Sequence, residues 1–242
     1  MDWVWPLLAA PFVGSFLGVL IARLPYGRPV VIARSACDRC GTTIMARDLM
    51  PLLSHVVLRG RCRSCSGRIA PRHWHVELAA VAIVVSALSA GTVPGRLWLD
   101  CALGWTLLCL AWIDWDSMTL PNVLTLPLIG AGLLATFGFD RELLTNHAVA
   151  AALGYTAFQG LAIVYRRLRG RDGLGQGDAK LLAALGAWIG LEGLPGVVFG
   201  AALAGLAAAL LLSLSGRKMD SATAIPFGPC LALAGWVARL HS

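Results

Sequence analysis

The chain has 242 residues, of which 57% are hydrophobic and 14% are charged, and its mean hydropathy is +0.72. A soluble domain of this length cannot bury so much apolar surface, so the composition excludes the soluble classes and indicates a polytopic membrane protein. The formal net charge is +7. In a membrane protein Lys and Arg are concentrated in the loops that face the cytoplasm, so topology can account for this positive charge. We therefore predict contacts with membrane lipid and no nucleic-acid partner.

Apolar runs along the chain predict about eight transmembrane helices. The runs cover residues 3–24, 76–90, 97–113, 123–139, 148–165, 179–191, 197–214 and 225–240. We therefore predict an all-α polytopic membrane protein, with a small four-cysteine domain of the zinc-binding type between helices 1 and 2. Its parts are a first transmembrane helix (1–24), the cytoplasmic four-cysteine domain (25–75) and a transmembrane core (76–242).

Lys and Arg are distributed very unequally between the two sides of this arrangement. Seventeen fall in the loops of one side, and three fall on the other: Arg96, Arg141 and Arg239. The positive-inside rule assigns the richer side to the cytoplasm. The four-cysteine domain, Asp114 and Asp178 are therefore all predicted on the cytoplasmic face.

Four cysteines form two Cys-x-x-Cys pairs, separated by residues 41–61: Cys37, Cys40, Cys62 and Cys65. Two such pairs can present four thiolates tetrahedrally, which predicts Zn²⁺ in a structural site. Ordinary reduced thiols or a redox couple are the alternatives, although a cytoplasmic location disfavours stable disulfides. We interpret the histidines near the pairs as surface or interfacial residues rather than ligands: His55, His73 and His75. The cysteines inside predicted spans are interpreted as small buried hydrophobic residues: Cys101, Cys109 and Cys230.

Two predicted spans have a carboxylate at their cytoplasmic edge. Asp114 ends the third apolar run, and Asp178 follows Gly175-Gln176-Gly177 and precedes the sixth. An ionisable group at membrane depth is costly and therefore a candidate for function. Two carboxylates sharing one proton could hydrolyse a peptide bond, one activating water and the other donating to the carbonyl. Gly175 and Gly177 would let the backbone turn tightly and let another chain approach.

Simpler interpretations exist for these carboxylates. Asp178 could be only a helix cap, and Asp114 with Asp116 could be only the polar end of a span. Asp116 is two residues from Asp114 and should point elsewhere on a helix, so we expect Asp114 to face Asp178. Helix polarity favours the ionised form of Asp178 at a helix N-terminus and disfavours charge on Asp114 at a C-terminus. This predicts Asp178 as the base and Asp114 as the protonated partner.

Together these motifs resemble the type IV prepilin peptidases, the bifunctional leader peptidase/N-methyltransferases of the GxGD aspartic protease class. The resemblance covers almost the whole sequence. It rests on Gly14-Ser15-Phe16-Leu17, on the two Cys-x-x-Cys pairs, on Val76-Glu77-Leu78, on Asp114 seven residues before Pro121-Asn122, and on Gly175-x-Gly177-Asp178.

The resemblance implies an enzyme of the bacterial inner membrane with its active site facing the cytoplasm. Asp114 and Asp178 would be catalytic, and Gly175 and Gly177 would support them. The substrate would be a prepilin or a type II secretion pseudopilin, cut after a Gly between its basic leader and its apolar helix. The new amino terminus would then be methylated with S-adenosyl-L-methionine as donor.

The sequence departs from the family's pattern at three places. Gly18 stands where Asn is usual, Asp38 where Pro is usual, and His73-Trp74 where Tyr-Pro is usual. All lie in or beside the region that the resemblance associates with methyl transfer. The alternatives from other functional classes are a proton-coupled transporter and a zinc-containing membrane adaptor. Neither explains both the cysteine pairs and the paired aspartates.

Overall fold

The computed structural model describes residues 3–30, 35–37, 39–170, 175–215 and 226–241. In this part of the chain there are nine α-helices and no named β-strand, which confirms the predicted all-α class. The helices are α1 (Val4–Arg23), α2 (Leu53–Val57), α3 (Arg72–Ser89), α4 (Pro94–Ser117), α5 (Asn122–Phe139), α6 (Leu144–Arg169), α7 (Gln176–Ile189), α8 (Leu194–Leu214) and α9 (Gly228–Leu240). The predicted start of the last span, at residue 225, lies outside the described residues, as do Arg34, Asp38, Arg171, Arg217 and Lys218.

All of these helices except the short α2 overlap one of the predicted spans. Within the described ranges, five segments are long and apolar enough to cross a membrane: Val4–Tyr26, Gly95–Ser117, Asn122–Phe139, Arg141–Arg169 and Leu194–Leu214. Helices α7 and α9 have only 14 and 13 residues, fewer than the roughly 17–25 that a span needs. Helix α3 begins within the polar stretch at 25–75 that contains the four cysteines, which we call the four-cysteine segment. The chain is thus a multi-pass membrane protein, but the count of eight spans is not confirmed.

The ends of the helices follow from local chemistry. Pro195 and Pro229 lie in the first turns of α8 and α9, where a missing N–H costs no intrahelical hydrogen bond. Helix α6 ends at Gly170, whose φ of +68° suits glycine. This helix begins and ends four residues beyond the predicted span at 148–165. The extra turns contain polar residues, which can remain helical in the interfacial region even though they do not belong to an apolar run.

The contacts of the chain cluster into two compact units, Met1–Cys109 and Leu110–Ser242. In the first unit α1 packs closely on α3 at Gly14, because this residue has no side chain. A Cβ at position 14 would lie only 2.6 Å from the Cα of Glu77. The indole N–H of Trp105 in α4 donates to the carbonyl of Ala80 in α3 at 2.9 Å. The four-cysteine segment belongs to this first unit.

In the second unit, helix α7 is the centre of the packing. Its residues from Asp178 to Trp188 are buried except Lys180, which is the pattern of a helix enclosed on every side. Neighbouring helices reach it through glycines: Gly132 of α5 lies against Trp188, Gly186 against the backbone of α6, and Gly235 of α9 against Leu185. The indole N–H of Trp188 donates to the carbonyl of Leu128 at 2.9 Å. Asp178 therefore lies on a helix, α7, that is held in place by packing on all sides.

Candidate active site and metal centre

Asp178 lies in the first turn of α7 and is 9% exposed. Gly175 caps this helix. Its N–H donates to Oδ2 of Asp178 at 3.2 Å, and the N–H of Asp178 donates to the carbonyl of Gly175 at 3.1 Å. This reciprocal pair closes the first turn. Asp178 thus takes part in capping without being the N-cap residue, and its burial exceeds what a surface cap requires.

Asp114 lies near the end of α4 and is 6% exposed. The backbone N–H of Gly228, the first residue of α9, donates to its Oδ2 at 2.9 Å. A Cβ on Gly228 would lie 2.6 Å from the same oxygen. Only glycine allows this approach, so the carboxylate is held directly against the N-terminus of another helix.

The structure brings Asp114 and Asp178 together. Their carboxyl groups are close enough to interact electrostatically. The segment that follows α4 is also fastened to the first turn of α7. Leu120 occupies the space that a side chain at position 177 would need. The Cβ of Leu120 would lie 2.8 Å from a Cβ added to Gly177. The Nζ of Lys180 donates to Oδ1 of Asn122 at 2.7 Å. These two contacts join the segment after α4 to the start of α7. They therefore fix the carboxyl group of Asp114 relative to that of Asp178.

Asp116 differs from Asp114 in its surroundings. Asp116 is exposed, whereas Asp114 is buried. The difference in burial favours Asp114 over Asp116 as the partner of Asp178, and this pairing stays a prediction.

The asymmetry that helix polarity predicted for the two aspartates is absent. Asp114 is at the C-terminal end of α4, but its carboxylate also accepts a hydrogen bond at the N-terminus of α9. Asp178 accepts its hydrogen bond at the N-terminus of α7. Both carboxylates thus receive a backbone N–H at the positive end of a helix. Helix polarity alone therefore does not distinguish the two residues, and the assignment of Asp178 as the resting base stays a prediction.

Gly228 is the site residue that the sequence analysis missed. It is 114 positions from Asp114, and no spacing argument connects the two. The available signal was local: Gly228 lies between Phe227 and Pro229 at the start of an apolar run, where a residue without a side chain indicates a close approach. Cys230, two residues further along α9, is also buried. Cys101, Cys109 and Cys230 are all buried, as predicted.

The predicted metal site also assembles. The Sγ atoms of Cys37, Cys40, Cys62 and Cys65 all lie within 4.8 Å of one another. A cluster of four thiols of this size fits one tetrahedral Zn²⁺, whose bonds to sulfur are about 2.3 Å long. The donor set, four thiolates from two Cys-x-x-Cys turns, is that of a closed structural site rather than a catalytic one.

The two cysteine turns repeat the same backbone pattern 25 residues apart. The N–H of Cys37 donates to the carbonyl of Thr42, and the N–H of Cys62 to that of Gly67. Ala36 bridges Thr43, and Arg61 bridges Arg68. The residue after each second cysteine, Gly41 or Ser66, has positive φ, +70° and +55°. The repeat was hidden because a serine replaces the glycine in the second copy.

Hydrogen bonds lower the pKa of two of the four thiols, Cys40 and Cys62, whereas burial and hydrogen bonds with the other cysteines raise the pKa of Cys65 to about 11. Hydrogen bonds with the Thr42 side chain and backbone lower the pKa of Cys40 to about 6, and the backbone N–H groups of Cys65 and Ser64 lower the pKa of Cys62. Arg63, within the second turn, forms an ion pair of 2.7 Å with Asp48, which holds the pKa of Asp48 below its usual value. The charge of Arg63 is thus paired with that of Asp48.

Two of the departures from the family's pattern meet in the structure. A Cβ on Gly18 would lie 3.0 Å from Nδ1 of His73. The histidine ring therefore occupies the space beside α1 that a side chain at position 18 would need. Gly18 and His73 form a matched pair in the first unit, whereas the third departure, Asp38, lies outside the described residues.

Comparisons with known proteins give a consistent result. The family model described as Bacterial Peptidase A24 N-terminal domain matches residues 8–90, and that of the Type IV leader peptidase family matches residues 101–210. The chain is 38% identical over 270 residues to the prepilin leader peptidase/N-methyltransferase of Aeromonas hydrophila, covering 99% of this chain and 92% of that protein. It is 36% identical to those of Burkholderia pseudomallei strain 1026b (97% and 84% covered) and Pseudomonas aeruginosa (97% and 88% covered). No solved structure matches.

Proposed function

Because the chain belongs to the type IV leader peptidase family, we propose that it removes the basic leader from type IV prepilins or pseudopilins and then methylates the new amino terminus. Cleavage would follow a Gly at the boundary between the leader and the apolar helix. The enzyme is of the aspartic type, and the transporter and adaptor alternatives are not favoured. The observation that carries the proposal is the burial of Asp114 and Asp178 as an interacting pair.

The two carboxyl groups can perform hydrolysis if they hold one proton between them. The ionised one takes a proton from water, whose oxygen attacks the carbonyl carbon of the scissile bond. The protonated one donates to the carbonyl oxygen, giving a tetrahedral intermediate. When the C–N bond breaks, the amine leaves with a proton from the dyad. A hydroxyl of the tetrahedral intermediate returns its proton to the dyad as the product carboxyl group forms, so the pair is again singly protonated. The roles of Asp114 and Asp178 alternate within the cycle.

The backbone around the pair supports these steps. The N–H groups of Gly228 and Gly175 each donate to one carboxylate, so the ionised form of either residue is stabilised by a helix N-terminus. Since each donor is a fixed backbone group, little reorganisation accompanies proton transfer. Gly175 supplies the N–H that Asp178 accepts, and Gly177 leaves the space that Leu120 fills, so both glycines would support the pair through close packing.

The cofactors we propose are Zn²⁺ and S-adenosyl-L-methionine. Zinc would be held by Cys37, Cys40, Cys62 and Cys65 and would stabilise the fold of the four-cysteine segment. S-adenosyl-L-methionine would supply the methyl group. The chain would lie in the bacterial inner membrane, surrounded by lipid, with its aspartates on the cytoplasmic side, where the basic leader remains.

The test is a reconstituted reaction. Purified protein in detergent micelles is incubated with a prepilin and S-adenosyl-L-methionine, and the product is analysed by mass spectrometry. We expect a product shortened by the leader, beginning after the Gly, with its mass increased by one methyl group. A prepilin that remains intact would overturn the peptidase assignment. A cleaved but unmethylated product would overturn only the methyltransferase half.

A further inference from the structure

A cavity of about 470 Å³ lies within the first unit and is distinct from the aspartate pair. Its walls come from α1, from the four-cysteine segment and from the first turns of α3, and Glu77 is the lining residue furthest along the chain. The volume falls within the range of cavities that hold small molecules and cofactors. The hydrolysis proposed for Asp114 and Asp178 does not involve this cavity.

The cavity contains a buried carboxyl group and a buried hydrogen-bond donor. Glu77 is 7% exposed. Its Oε2 accepts the N–H of Leu52 at 2.8 Å. Arg72, five residues earlier on α3, has a buried Nε with no hydrogen-bond partner among the described residues. Buried polar atoms normally have partners, and an orphaned guanidinium donor in a cavity wall suggests an acidic group of a ligand.

One wall of the cavity is aromatic. The rings of His55 and Trp74 are stacked, with centroids 5.9 Å apart and planes inclined by 25°. Both residues line the cavity. Trp74 occupies one of the positions that depart from the family's pattern. An indole supplies a broad apolar face on which a purine ring can stack.

We propose that this cavity binds the methyl donor, S-adenosyl-L-methionine, a deduction that rests on the proposed methyltransferase function. Arg72 binds the carboxylate of its amino-acid end, Glu77 faces the cationic sulfonium, and Trp74 stacks on the adenine. The ligand combines an anion, a cation and a purine, and the cavity offers a complementary group for each. The methyl-transfer site is thereby assigned to the first unit, which also contains the cysteines.

Glu77 also has a structural task, which the test must separate from binding. It holds the N–H of Leu52, a residue with φ of +60° that is strained for a side chain of this type. Glu77→Gln keeps an acceptor for this N–H and removes the charge. Glu142→Gln is the matched control, since Glu142 is exposed and belongs to the second unit. Trp74→Leu removes the ring and keeps an apolar side chain.

The experiment measures equilibrium binding of radiolabelled S-adenosyl-L-methionine and of S-adenosylhomocysteine, which lacks the sulfonium charge, to the purified full-length protein. We expect Glu77→Gln to weaken binding of the methyl donor about tenfold or more, as for loss of the attraction between two opposite charges in a partly buried site. Its effect on S-adenosylhomocysteine should be smaller, a difference that a purely structural role would not produce. Trp74→Leu should weaken both ligands roughly tenfold, and Glu142→Gln neither.

The outcomes separate this assignment from the proposed function. If the wild-type protein binds and methylates, while both cavity variants bind as it does, the donor site is elsewhere and the assignment is wrong. If the wild-type protein cleaves prepilin but neither binds the donor nor methylates, the methyltransferase function is wrong and the assignment falls with it.

A second measurement does not depend on the folding of variants. Ultraviolet cross-linking of the radiolabelled donor to the wild-type protein should label a peptide within residues 46–77. Label confined to residues 110–242 would overturn the assignment. Zinc content and the thermal unfolding midpoint, measured for each variant, identify loss of binding that results from loss of fold.

Discussion

The backbone N–H of Gly228 donates a 2.9 Å hydrogen bond to Oδ2 of Asp114, and no side chain at position 228 could be accommodated at that distance. The last helix of the chain thus begins at the carboxylate that ends α4. Because the N-terminus of a helix carries partial positive charge, this contact stabilises the ionised form of Asp114. It also makes the start of α9 part of the candidate catalytic site.

Gly228→Ala should therefore reduce prepilin cleavage severely, by about 100-fold or more, since a displacement of the reacting group by an ångström is that costly. The added Cβ would lie 2.6 Å from Oδ2 of Asp114 and would force the carboxylate away. Gly130→Ala is the matched control, because a Cβ there meets no atom within 4 Å. The measurement is kcat/KM for leader removal in both variants. Equal activity of the two would show that Gly228 has no role in positioning Asp114.

Asp114→Asn and Asp178→Asn should each abolish cleavage while the protein remains inserted and folded. Asn keeps the shape and accepts the N–H of Gly228 or Gly175, but it cannot move a proton. The two residues act in one mechanism, so the double variant should be scarcely worse than either single variant. Asp116→Asn should keep substantial activity because Asp116 is exposed. The opposite result, with Asp116→Asn inactive and Asp114→Asn active, would mean that the wrong member was paired with Asp178.

Much of this arrangement could be predicted because it is written in local patterns. Apolar runs located the long helices, and four cysteines in two short motifs located the cluster of four thiols. The pairing of Asp114 with Asp178 followed from their equivalent places at the edges of spans. The contact of Gly228 with Asp114 could not be predicted, because it depends on how α9 packs within the second unit. The cavity also escaped prediction, since its aromatic and charged residues gather only when α3 packs against α1.

The metal centre predicts one Zn²⁺ per chain, measurable by elemental analysis of protein purified without chelators. Cys40→Ser should remove the metal and lower the unfolding temperature of the four-cysteine segment, because metal binding supplies folding free energy there. Methylation should suffer more than cleavage, since the aspartates belong to the second unit. Wild-type protein without zinc, or Cys40→Ser protein with a full complement, would contradict this prediction.

The distribution of charge predicts which side of the membrane each loop faces. Seventeen basic residues against three should hold the richer loops in the cytoplasm. Reporter fusions after Arg68 and after Arg169 should both read cytoplasmic, and a fusion after Arg141 should read external. An external reading after Arg68 would reverse the orientation of the four-cysteine segment and remove the basis for placing the aspartates on the cytoplasmic face.

The contact between Leu120 and Gly177 gives a test of how the two aspartates are held together. Gly177→Ala would place a Cβ 2.8 Å from the Cβ of Leu120 and 3.1 Å from its Cδ1. The segment after α4 must then move away from the first turn of α7, which separates Asp114 from Asp178. We expect kcat/KM for cleavage to fall about tenfold to 100-fold, with the zinc content unchanged.

Leu120→Gly removes every atom of Leu120 that the new Cβ would strike. If the clash is what separates the aspartates, the double variant Leu120→Gly/Gly177→Ala should have a higher kcat/KM than the product of the two single effects predicts. Such non-additivity is expected for residues in direct contact. Gly160→Ala is the matched control for the alanine substitution, because a Cβ at that position meets no atom within 4 Å. Strict additivity in the double variant would show that Gly177 acts by some route other than its contact with Leu120.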